Sequence, residues 1–123
     1  MKNAINWFEI PVKNFNNAKL FYETILGTEM QVMEAMGMIS AFFPAEMETG
    51  GIGGCIIAGQ GYEPSANGTI IYLNGGDDLN IPLSKVEQAG GKVLLPKTAI
   101  GHNGFLAFFS DTEGNKIGFH SRD

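Results

Sequence analysis

Apolar and polar residues alternate through "INWFEIPV" (residues 5–12): Phe8, Ile10 and Val12 fall on one side, Trp7 and Glu9 on the other. A period of two is that of a strand with one apolar face. The period then lengthens. In "NFNNAKLFYETILG" the residues Ala18, Phe21, Tyr22, Ile25 and Leu26 recur at helical spacing, with Asn14 or Asn16 as N-cap and Gly27 just past the end. "TEMQVMEAMGMISAFFP" predicts two strands joined near Met36 and Gly37, and "IGGCIIAG" a fourth strand loosened by its glycines.

Residues 59–68, "GQGYEPSANG", form a connector rich in turn residues, and beyond it the pattern starts again. "TIIYLN" predicts a strand. "DDLNIPLSKVEQAGG" predicts a helix with Leu79, Leu83 and Val86 on one stripe, Pro82 near its start and Gly90-Gly91 at its end. "KVLLP", "FLAFFS" and "KIGFH" are three more strands. The chain therefore reads βαβββ twice, as one domain over residues 1–123: module one about 1–58, module two about 69–123. The expected fold is α+β, two paired curved mixed sheets around a shared cleft. Helix-facing residues on the last strand are Ile117 and Phe119. Trp7, Glu9, Gly118 and His120 then point inward, an assignment that one β-bulge would invert.

Composition narrows the function classes. No apolar run approaches the ~20 residues that span a bilayer, and "MKNAINWFEI" lacks the pattern of a signal peptide. The formal charge is −5 and the eight Lys and Arg residues are scattered, so a nucleic-acid partner is not expected. One cysteine, Cys55, leaves no internal disulfide and fits a cytoplasmic location. No dinucleotide or phosphate-loop glycine motif, C-x-x-C or H-E-x-x-H occurs.

Three stretches carry a resemblance: "FEIPVKNFNNAKLFYETILG", "YLNGGDDLNIPLSKVEQAGGKVLLPKTAIG" and "FFSDTEGNKIGFH". Together they resemble the glyoxalase/bleomycin-resistance/extradiol-dioxygenase (vicinal oxygen chelate) superfamily, most closely its lactoylglutathione-lyase-related branch. The resemblance implies a divalent metal held by inward residues of strands one, four, five and eight. Matched by position, those places fall at Trp7, within "GGCIIAG", at Ile70 or Ile71, and at Gly118. None supplies a hard ligand, so neither a metal nor another cofactor is expected.

Glu9 and His120 each lie two residues from an absent ligand, about 7 Å along a strand. They are the candidate general bases if the protein is an enzyme, and otherwise orienting groups for a ligand or satisfied scaffold residues. Trp7 either stacks on a flat ligand or fills the space the metal left. Tyr72 turns inward in only one of two registers that the extra glycine of "LNGGDD" permits. His102, in the glycine-flanked "AIGHNGF", is a lid candidate or a solvated loop residue. Met30, Met33, Met36 and Met38 are pocket lining or core filling. The leading reading is a metal-independent binder of an unidentified neutral or cationic small molecule, with ligand residues Trp7, Glu9, Tyr72, Gly118, His120 and His102. The alternative is a lyase or isomerase related to lactoylglutathione lyase, and the resemblance leaves a homodimer open.

Overall fold

The computed structural model describes residues 3–123. Module one comprises β1 (Trp7–Pro11), α1 (Phe15–Leu26), β2 (Gln31–Ala35), β3 (Met38–Phe42) and β4 (Gly53–Ala58). Module two comprises β5 (Tyr72–Asn74), α2 (Asn80–Val86), β6 (Lys92–Ala99), β7 (Phe105–Ser110) and β8 (Lys116–Ser121). Each forms a four-stranded mixed sheet, ordered β1-β4-β3-β2 and β5-β8-β7-β6, in which the first and last strands run parallel. The α+β fold of two βαβββ modules is thus realised.

Local chemistry sets the element ends. Asn14 caps α1, its Oδ1 accepting from Asn17 N at 3.2 Å, and Gly27 closes the helix with φ +65°. Three elements differ in extent from the sequence reading. The second helix is only seven residues long: Asp78 Oδ1 takes the Asn80 N–H just before its first turn, and residues 87–90 leave it as turn. Pro82 then sits in the first turn, where no backbone donor is missed. β6 runs on through Pro96, which an edge strand with two register shifts tolerates. β5 is short, its pairing with β8 covering Tyr72–Asn74 plus one bond from Gly118 N to Ile71 O.

The helix-facing sides of both sheets and the two helices share one core. It includes Ile10, Val12, Phe21, Tyr22 and Ile56 from module one, and Leu73, Leu79, Val86, Phe109, Ile117 and Phe119 from module two. Phe21 meets Phe109 with ring centroids 5.9 Å apart. A polar clamp reinforces this junction. The β7–β8 turn places Asp111, buried, to accept from Tyr22 Oη at 2.6 Å, Asn115 Nδ2 at 3.0 Å, Glu113 N at 2.8 Å and Asn115 N at 2.9 Å. Asn115 Nδ2 also donates to the Pro11 carbonyl, and its Oδ1 accepts from Ser65 N of the connector. Glu113 accepts from the backbone N–H groups of Lys13 and Asn14. Burial first, and the Asp111 carboxylate second, push the Tyr22 phenol well above its ordinary pKa. It therefore stays a donor.

Glycines in β4 tighten the strand rather than loosen it. The Phe8 ring crosses Gly54 on the core side, where an added Cβ would lie 2.4 Å from the ring. All of β4 up to Ile57 is buried.

Candidate functional site

Each sheet keeps one face free of helices, and both faces are built alike. On the first, β1 presents Trp7 and Glu9 beside Gly53 and Cys55 of β4. The Trp7 indole lies across Gly53: a Cβ there would sit 3.4 Å from its ring and 2.9 Å from Met47 Sδ. Phe42 of β3 flanks the indole at 5.9 Å. Trp7 keeps 38% of its surface exposed, so one side of the indole fronts solvent. Glu9 is exposed and takes no hydrogen bond from a described residue. It faces Cys55, whose thiol is pushed up in pKa by burial first and by the Glu9 charge second, with Ser40 acting the other way.

On the second sheet Tyr72 of β5 stands beside Gly118 of β8, which in turn pairs with Phe108 of β7. The phenol ring crosses the glycine, where a Cβ would lie 2.5 Å from Cδ1. Phe108 flanks it at 5.7 Å, and Lys116 Nζ lies 4.5 Å from the Phe108 centroid. Tyr72 is 44% exposed. Of the two registers for Tyr72, the structure adopts the one that turns Leu73 into the core and Tyr72 onto the open face. His120, half-buried one step further along β8, donates from Nε2 to the Asn103 carbonyl at 2.6 Å. Tyr72, Asn74, Asp77, His120 and Arg122 line a cavity of about 790 Å³ at this end of the sheet.

Tyr72, Gly118 and His120 are therefore brought together. Trp7 and Glu9 are joined only to each other, on the other sheet, and neither lines a cavity with Tyr72 or His120. His102 is exposed in a 3-10 turn, Gly101–Asn103, and does not line that cavity. Of the hairpin methionines, Met30 is buried in the core, whereas Met33 and Met36 are exposed on the projecting β2–β3 hairpin. Met47, beside Trp7, was not singled out by sequence pattern, and neither were Phe42, Phe108 and Gly53. The last three lie on predicted strands, and an aromatic residue opposite a glycine is the signal that could have found them.

Residues 4–119, spanning both modules, match the model of the "Glyoxalase/Bleomycin resistance protein/Dioxygenase superfamily". The chain belongs to that superfamily. No curated protein matches the chain significantly. Solved structures share the fold at low identity. A glyoxalase/bleomycin resistance protein from Albidiferax ferrireducens superposes with TM-score 0.67 at 14% identity, over 95% of this chain and 98% of that one. The fosfomycin resistance protein FosX from Listeria monocytogenes gives 0.62 at 14%, over 98% and 91%. A glyoxalase I mutant from Zea mays gives 0.64 at 19%, over 95% of this chain and 45% of that one.

The superfamily's metal does not fit the matched positions. Trp7 and Gly118 offer no donor atom, and the Tyr72 ring fills the space above Gly118. Ile70 and Ile71 are apolar, and β4 contributes only Cys55. Among the described residues no group of three or more His, Cys, Asp or Glu side chains converges. No helix of the described residues is long and apolar enough to cross a membrane.

Proposed function

We propose that the protein binds a small molecule with a flat π-system, neutral or cationic, without a metal. The observation that carries this reading is the repeated arrangement of an exposed aromatic ring seated on a glycine: Trp7 on Gly53, Tyr72 on Gly118. A ring in that position has one face against the sheet and the other free to stack. Glu9 beside Trp7, with no ion-pair partner among the described residues, favours a positively charged ligand, which the indole face also attracts. His120 and the Tyr72 hydroxyl are the orienting polar groups of the other face.

Trp7 and Glu9 line neither cavity at Tyr72, which supports a joined site built with a second copy, module one of one chain meeting module two of its partner. A homodimer is therefore part of the proposal, as is a reducing, cytoplasm-like compartment for the single thiol. The lyase or isomerase reading is the weaker one. Glu9 and His120 are not assembled with each other, and among the described residues no Lys or Arg on the neighbouring strands stands beside Glu9 to stabilise an oxyanion.

Trp7 is the sole tryptophan, so its emission reports this face alone. Planar aromatic cations should quench or shift that emission saturably, and Glu9→Gln should weaken the effect. Emission that no planar compound alters, cationic or neutral, would remove the stacking site.

A further inference from the structure

A second cavity, of about 910 Å³, lies at the junction of the modules and shares Tyr72, Asn74 and Asp77 with the cavity at the end of the second sheet. Phe8, Ile25, Phe43 and Ile52 form its wall on the side of module one, and Ile81 and Pro82 of α2 close the other. Its volume is within the ~300–1,000 Å³ typical of ligand sites. Its floor is unusual: the consecutive residues Thr69 to Asp78 all line it. Side chains of a strand alternate between faces, so an unbroken run means that the edge of the strand borders the cavity.

That edge is unpaired among the described residues. β5 bonds only β8, through Ile71 O, Leu73 and Gly75 N, which leaves the N–H and C=O of Tyr72 and Asn74 pointing the other way. The other edges are protected in ways familiar from natural sheets. β1 ends on Pro11, whose carbonyl already accepts from Asn115. β6 carries Pro96, two lysines and register shifts, and β2 carries Glu34. "TIIYL" at residues 69–73 has no proline, charge or glycine. The rim is also charged in a specific way. Asp78 is paired with Lys97 at 3.1 Å, while Asp77 and Lys85 have no ion-pair partner among the described residues. One free carboxylate and one free ammonium at an apolar groove complement a molecule with both charges and an apolar body.

We propose that this edge binds a short, extended, apolar peptide with free termini, which adds a strand to β5. Main-chain hydrogen bonds to Tyr72 and Asn74 would supply affinity, the isoleucine-lined walls would take alternate side chains, and Lys85 and Asp77 would take the termini. This site uses the backbone edge of Tyr72, not its ring, and shares no residue with the Trp7 face.

The test is titration of the isotopically labelled protein with the tripeptide Leu-Val-Leu, followed by amide NMR. Saturable shifts are expected at Tyr72 and Asn74, with the Trp7 indole signal unmoved. Lys85→Met should weaken the tripeptide roughly tenfold, the loss of one charge-assisted contact, and leave an end-capped version unaffected. A backbone N-methylated tripeptide should not bind. Three results would overturn the proposal: no saturable shift at Tyr72 and Asn74; equal binding of the N-methylated peptide or of octanoate; or concentration-dependent shifts at those amides without peptide, which would assign the edge to a second copy.

Discussion

Replacing Gly118 by alanine tests whether Tyr72 and the glycine form one unit. The new methyl would lie 2.5 Å from Tyr72 Cδ1 and 2.7 Å from Cε1, against 3.4–4 Å for ordinary contact. The backbone of Gly118 is not in the left-handed region, so alanine adds no strain of its own. The ring, already 44% exposed, must swing off the sheet. Doing so forfeits its packing with Phe108, ~0.5–1.5 kcal/mol for an aromatic pair, and overpacking elsewhere in proteins costs ~1–3 kcal/mol. An exposed ring escapes easily, so a total of about 1–2 kcal/mol is expected. For a chain of this size that lowers Tm by roughly 3–8 °C.

A double-mutant cycle isolates the cause. In a Tyr72→Ala background the same Gly118→Ala change should be neutral or stabilising by up to ~1 kcal/mol, because alanine has less unfolded-state freedom. The coupling energy should therefore be about 1–2 kcal/mol, measured by urea or thermal denaturation of the four proteins. Gly53→Ala is the internal control, since the atom it approaches most closely is the flexible Met47 Sδ and Trp7 is 3.4 Å away. Its effect should be milder. Additivity of Gly118→Ala and Tyr72→Ala within ~0.5 kcal/mol would refute the claim that the glycine exists to seat the ring.

Asp111→Asn should be the most damaging polar substitution in the clamp, at about 3–5 kcal/mol, because either amide orientation opposes a donor to a buried donor. Tyr22→Phe, which removes one bond, should cost ~1.5–3 kcal/mol by the same denaturation assay. Glu23 accepts from Lys19 Nζ and Met30 N, each at 2.9 Å, and these contacts hold its pKa below the ordinary 4.5. With the folded pKa depressed, its contribution is complete above 4.5 and fades as pH falls below that value toward the folded one. Glu23→Gln should flatten the stability profile over that acid window and nowhere else.

Period-two and helical spacing determine the repeat, the strand faces and the end of the first helix, because these follow from backbone geometry and from which side must be dry. Phe8, Ile10 and Val12 against Trp7 and Glu9 is one such case, and Ile117 and Phe119 against Gly118 and His120 another. Register was not legible in the spacing. Whether Tyr72 or Leu73 faces outward depends on which β8 residue it pairs with, and the extra glycine hid that from the sequence. Nor could spacing reveal what the glycines of β4 and β8 are for, since their role appears only when a ring from the neighbouring strand lies across them. The tertiary structure also decided which candidates meet. Tyr72 and His120 share parallel neighbouring strands, whereas Trp7 and Glu9 lie on the other sheet. Local periodicity says which face a side chain takes, and only the packing of the two modules through their helices determines where that face points.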